Sequence, residues 1–147
     1  MTNVLDTNIL VLAVRNSSIW NDLVNDYQLS DENILISVVS VGELYSLADQ
    51  FGWGQAKLNR IQEVISKTKI VAISEEMIDA YRAIDTYSQN AHKTLRMPAG
   101  MSARNMGKND IWIAATAYTT KSRLFTCDKD FLHLETVFLE MVTVEMK

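Results

Sequence analysis

Short apolar runs, each too brief for a helix and each closed by a polar residue, recur along the chain between stretches of helical periodicity. Val4-Leu5, Ile34-Leu35-Ile36, Ile70-Val71-Ala72-Ile73 and Leu124-Phe125-Thr126-Cys127 are such runs. Their apolar, largely β-branched and aromatic character and polar boundaries read as strands. Between them, Ser17-Ser18 offers an N-cap for a helix whose Ile19, Leu23 and Tyr27 form an apolar stripe. Ser40-Val41-Gly42-Glu43 leads into Leu44, Leu47, Ala48 and Phe51, an amphipathic helix broken at Gly52-Trp53-Gly54. Leu58, Ile61, Val64 and Ile65 mark another. Ser74 with Glu76 and Asp79 opens a further helix, its apolar face carried by Ile78, Tyr81 and Ile84. Asn109-Asp110 begins a helix containing Ile111, Ile113, Ala114 and Ala117, and Val137 through Val144 reads as a last strand. Strands separated by helices imply right-handed crossovers. The expected fold is therefore α/β, with three layers α/β/α around a central, mostly parallel sheet.

With 147 residues, the chain can bury about 70% of the surface it exposes when unfolded. No low-complexity tract or linker interrupts it, so residues 1–147 are expected to form a single domain. No apolar run approaches the roughly 20 residues of a membrane span, and the first residues lack a signal-peptide pattern. The lone Cys127 cannot form an internal disulfide, which fits a cytoplasmic protein. The two histidines, His92 and His133, are far apart, and no Cys/His cluster suggests zinc. A net charge of −4 argues against a protein that coats nucleic acid. Its distribution is more informative: from Thr86 to Asn109 there is no acid, while Lys93, Arg96, Arg104 and Lys108 fall inside that span.

The carboxylates raise the sharper question. In an open parallel sheet, ligands bind beyond the carboxyl ends of the strands. Asp6 follows the first strand, Asp128 the fourth, and Glu43 is expected in the first turn of the helix after the second strand. Asp110 opens the helix that feeds the fourth strand. Each has an ordinary explanation: Asx turns for Asp6 and Asp128, a capping box for Ser40-x-x-Glu43, the helix dipole for Asp110. Jointly they differ, because four carboxylates in one pocket repel until a cation intervenes. Mg²⁺ or Mn²⁺ suits an all-oxygen donor set.

Leu5-Asp6-Thr7-Asn8, Val41-Gly42-Glu43-Leu44, Gly107-Lys108-Asn109-Asp110-x-x-Ile113-Ala114-Ala115 and Thr126-x-Asp128-x-x-Phe131 occur in that order. In order and spacing they resemble the PIN-domain ribonucleases, and among them the VapC-type toxins of toxin–antitoxin pairs. The resemblance runs from residue 4 to about residue 131. It implies a PIN-like fold and metal-dependent hydrolysis of RNA, leaving a 5′-phosphate and a 3′-hydroxyl. The catalytic, metal-holding acids map onto Asp6, Glu43, Asp110 and Asp128, and Thr126 occupies the polar place two residues before the last acid. Thr126 and Asn8 would orient carboxylates. Asp130 is an extra acid, either another supporting group or a helix cap. Lys93, Arg96, Arg104 and Lys108 are the candidate RNA contacts, since an acidic pocket repels a polyanion. The basic stretch before Gly107 is longer than in many relatives, which bears on substrate reach. A cognate antitoxin and a homodimer are expected from the family. The main alternative is the same fold as a catalytically weak RNA- or protein-binding module. A haloacid-dehalogenase-like phosphatase needs Asp-x-Asp where this chain has Asp6-Thr7-Asn8. A receiver domain needs an acidic pair and a strand-end lysine, neither of which is evident. Trp20 and Trp112 read as core or interface and Trp53 as a candidate partner contact. Cys127 reads as a small hydrophobe, His92 as a candidate phosphate contact and His133 as structural.

Overall fold

The computed structural model describes residues 1–145. At its centre lies β1 (Asn3–Leu5), flanked by β2 (Ile34–Ser37) and β4 (Arg123–Thr126), with β3 (Lys69–Val71) and β5 (Met141–Thr143) at the edges. Every pairing is parallel, and the order is β3-β2-β1-β4-β5. The register sets Val4 against Leu35 and Leu124, and Leu5 against Phe125.

Side chains of a strand alternate between faces, and that alternation builds two cores. Val4, Leu35 and Leu124 join Met77, Ile84, Tyr87 and Ile111, from α5 (Glu76–Ser88) and α6 (Lys108–Thr119). Leu5, Ile34, Ile36 and Phe125 face the other way. They pack on Ile9, Leu44 and Ile61, from α1 (Thr7–Arg15), α3 (Val38–Phe51) and α4 (Gln55–Ser66). These are the three layers expected.

The local corrections have simple causes. The apolar run Ile9–Leu12 lies inside α1, whose cap is Asp6 itself. The next helix, α2 (Ser17–Tyr27), is capped by Asn16, whose Oδ1 accepts from Ile19 N at 3.2 Å, rather than by Ser17-Ser18. Ser37 caps α3 through Val39 N, so the helix starts earlier than expected. The Ser40–Glu43 capping box therefore does not form, and Glu43 falls in the second turn instead of the first. Gly52 ends α3 with φ of 63°, a left-handed conformation that glycine adopts without a Cβ clash. In α5 the inward face is Met77, Ala80, Ile84 and Tyr87; Ile84 is buried as expected and Tyr81 packs at its edge, but Ile78 is exposed. Only Met141–Thr143 of the last expected strand pairs in the sheet. Residues 89–107 form neither helix nor strand.

Candidate active site

From β1 the chain builds outward through β2 to β3, then returns to place β4 on the other side of β1. Beyond the carboxyl ends of β1 and β4 lies the crevice where such sheets bind ligands. Asp6 stands at that point and is only 4% exposed. A carboxylate so buried needs partners. Its Oδ1 accepts from Thr7 N and its Oδ2 from the Thr126 hydroxyl, both at 2.7 Å. The Thr126 Oγ1 also accepts from Asp128 N at 3.0 Å. One buried hydroxyl thus joins the two strand ends and fixes both acids. Burial still raises the Asp6 pKa, with the nearby charges of Glu43 and Asp128 adding to it and the hydrogen bonds to Thr126 and Thr7 opposing.

Glu43 comes from the second turn of α3. The Thr7 hydroxyl donates to its Oε1 at 2.7 Å, so the first residue of α1 positions an acid on another helix. Asp110 sits in the first turn of α6, following the cap residue Gly107. Its carboxyl is pushed up to about 7, by burial first and then by the charges of Asp6, Asp128, Glu43 and Asp130. Asp6, Glu43, Asp110 and Asp128, with Thr7, Asn8, Val11 and Leu47, line one cavity of about 280 Å³. Among the described residues no Lys or Arg forms an ion pair with any of these four acids.

Oxygen-only donors that repel one another and lack a cation of their own fit a hard dication such as Mg²⁺ or Mn²⁺. The gathering is loose: among the described residues no three of His, Cys, Asp or Glu stand close enough to grip an ion unaided. Mg²⁺ retains several waters and tolerates such a site, where carboxylates bind partly through them.

Around the pocket, Asn8 Oδ1 accepts from Cys127 N at 3.1 Å and so ties α1 to the end of β4. Asp128 caps the 3-10 turn Lys129–Leu134 by accepting from Asp130 N at 2.8 Å. Asp130 is exposed, outside the lining of the acidic cavity, and lies 3.7 Å from Arg104. Lys108 lines an adjoining cavity of about 420 Å³ with Glu43, Asn109 and Asp110. Lys108 is therefore beside Glu43 and Asp110, and Arg104 is beside Asp130. Lys93 lines a separate groove along α5 with Asp79, Arg82 and His92, and Arg96 donates to the His92 carbonyl at 3.1 Å. His92 itself organises its loop, its Nδ1 accepting from Thr94 N and Leu95 N. Trp20, Trp53 and Trp112 are partly buried against the two cores. Cys127 is half-buried, its thiol pushed up by burial and by Asp6. Thr7, to which the motifs assign no role, is the further residue of the site. Its signal was a hydroxyl at the first helical position after a strand-end acid.

A larger cavity of about 620 Å³ opens at the amino ends of the strands, between α5, α6 and Phe138. Its acids, Glu76, Asp79 and Glu140, are all exposed, so it concentrates no buried charge.

No curated protein matches the sequence. Among solved structures, VapBC2 from Rickettsia felis, bound to a DNA fragment from the promoter, superposes with a TM-score of 0.73 at 21% identity, covering 97% of this chain and 98% of that one. A toxin–antitoxin complex from Klebsiella pneumoniae gives 0.68 at 20% identity, covering 99% and 100%. FitAcB from Neisseria gonorrhoeae gives 0.69 at 20% identity, covering 97% of both chains. At such identities the likeness is one of fold. The PIN domain model matches residues 4–136, nearly the whole length, and the chain belongs to the PIN domain family.

Proposed function

We propose that residues 1–147 form a single nuclease domain, a divalent-metal-dependent endoribonuclease acting as the toxin of a toxin–antitoxin pair. The observation that carries this reading is the acidic pocket. Four carboxylates from distant segments line one cavity, and their charges, together with burial, push Asp110 up to about 7. Asp6, Asp110 and Asp128 would hold Mg²⁺ or Mn²⁺, with Glu43 bound directly or through a water. Such an ion supplies an acidified water and offsets charge on the scissile phosphate. Thr126 keeps Asp6 and Asp128 in register, Thr7 steadies Glu43, and Asn8 ties the two strand ends together. Arg104 and Lys108 would meet the RNA backbone at the rim. One solved structure of similar fold, from Klebsiella pneumoniae, is a toxin–antitoxin complex, which supports an antitoxin as partner. A homodimer is the family expectation. No helix among the described residues is long and apolar enough to cross a membrane, and the cytoplasm, where RNA is at hand, is the proposed location.

One observation favours the alternative, a binding module with negligible turnover: the looseness of the carboxylate cluster. Incubating purified protein with RNA in Mn²⁺, in Mg²⁺ and in EDTA, beside Asp128→Asn prepared identically, decides between them. Cleavage confined to the metal-supplied unsubstituted protein supports the nuclease. RNA left intact under every condition supports the binding module, and cleavage by Asp128→Asn at the full rate excludes this pocket.

A further inference from the structure

Segment 89–107 has no helix or strand of its own, yet it brings Arg104 to within 3.7 Å of Asp130. Something must fix so long a connection. Three contacts converge on Ser88, the last residue of α5. The Ser88 carbonyl accepts from Arg104 N at 2.6 Å. Its hydroxyl lies 2.7 Å from His133 Nε2 and 3.2 Å from Met106 Sδ. Sulfur is a weak acceptor, so the histidine is the stronger partner. Ser88 is fully buried and His133 is 4% exposed, and Met97 and Met106 bury their side chains from the same segment. A polar contact in such an interior is costly to lose.

His133 belongs to the turn that begins directly after Asp128. The contact therefore ties the end of α5 to the stretch that carries Asp128 and Asp130, and Arg104 N and Met106 Sδ attach the basic segment to the same serine. Burial and then the charge of Arg104 hold the His133 imidazole below its ordinary pKa. The side chains of Arg104 and Asp130 are 42% and 74% exposed, so their pair is weak and an incoming phosphate can displace it.

We propose that Ser88 and His133 are positioning residues. Their buried hydrogen bond docks the end of α5 on the turn after Asp128, and the Ser88 carbonyl, by accepting from Arg104 N, carries that anchorage into segment 89–107 and so holds Arg104 where an RNA phosphate entering the acidic pocket meets it. This rests on the RNA reading above, and two measurements separate the two ideas. The first needs no RNA. Loss of a buried hydrogen bond should open the segment about tenfold more often, so Ser88→Ala and His133→Phe should speed trypsin cleavage after Arg104 by that factor. Cleavage after Arg82, within α5, should hardly change. His133→Gln, which keeps a nitrogen near the Nε2 position, should restore resistance. Cleavage at both sites rising together would mean general destabilisation and would overturn the latch.

The second measurement is binding of a mixed-sequence single-stranded RNA in the Asp6→Asn background, across a range of salt. Arg104→Ala should shallow the slope of log affinity against log salt by about 0.7, one phosphate contact. Ser88→Ala should do the same, and combining it with Arg104→Ala should add nothing. A full slope in Ser88→Ala, or additive losses, overturns the proposal. If the Asp6→Asn protein binds no RNA at all, the RNA reading falls and the role of Arg104 with it. The trypsin result then still judges whether Ser88 and His133 hold the segment.

Discussion

Replacing Asp110 by Asn keeps the shape of the side chain and removes a charge that the pocket resists. In the folded chain this carboxyl is raised from 3.8 to about 7. At about 1.36 kcal/mol per unit, a rise of this size corresponds to about 4 kcal/mol for a fully desolvated group. Asp110 is only half-buried, and screening by solvent brings the effect to about 1–2 kcal/mol. The sign follows from proton linkage. The folded state holds the proton more tightly than the unfolded chain, so the stability this confers is complete below about pH 4 and is lost as pH rises through about 7. In EDTA at pH 8, Asp110→Asn should therefore be more stable than the unsubstituted protein by about 1–2 kcal/mol, or several degrees in Tm. At pH 4 the two should converge. Asp6, also raised, and His133, lowered, titrate in both proteins and largely cancel in the comparison. Adding Mg²⁺ at pH 8 should stabilise the unsubstituted protein and leave the variant nearly unmoved. Urea unfolding at the two pH values provides the test. A variant that is less stable at pH 8, or a difference that ignores pH, would refute the account of charge crowding.

Thr126→Val removes the donor to the buried Asp6 and should cost about 1–3 kcal/mol in urea unfolding. It should also weaken Mn²⁺ binding measured calorimetrically; an unchanged affinity would show that Thr126 merely packs. Thr7→Val frees Glu43 and, at this partly buried contact, should cost about 1 kcal/mol of stability while slowing cleavage disproportionately. Equal losses in stability and rate would make Thr7 structural only. Lys108→Ala should reduce the salt dependence of RNA binding more than Lys93→Ala, because Lys108 adjoins Glu43 and Asp110 while Lys93 lines the groove on α5. The reverse order would move the RNA path onto α5.

The layered fold was legible because alternation along a strand writes both cores into adjacent residues, as at Val4 and Leu5 or Leu124 and Phe125. The acids at strand ends were legible for the same reason, since topology alone sends Asp6 and Asp128 to one edge. Helix starts were less so. Ser37 both closes β2 and caps α3, so the helix follows the strand without a loop, which moves Glu43 by a turn and sets Thr7 beside it. In α5, Ile84 is legible as core, but Ile78 and Met77 are both apolar, and packing against α6 decides which points inward. The basic segment looked uniform in sequence. Its division into Lys108 beside Glu43 and Asp110, Arg104 beside Asp130, and Lys93 and Arg96 along the loop rests on tertiary contacts such as that of Arg104 with Asp130. No local pattern records a contact across so many residues.

The most direct test is anomalous scattering from crystals grown in Mn²⁺. The account predicts a manganese peak in the cavity lined by Asp6, Glu43, Asp110 and Asp128, with carboxylate oxygens of Asp6, Asp110 and Asp128 at about 2.0–2.3 Å or joined to it through water. Density for manganese only elsewhere, or none at millimolar Mn²⁺ with the four acids turned away from one another, would contradict it.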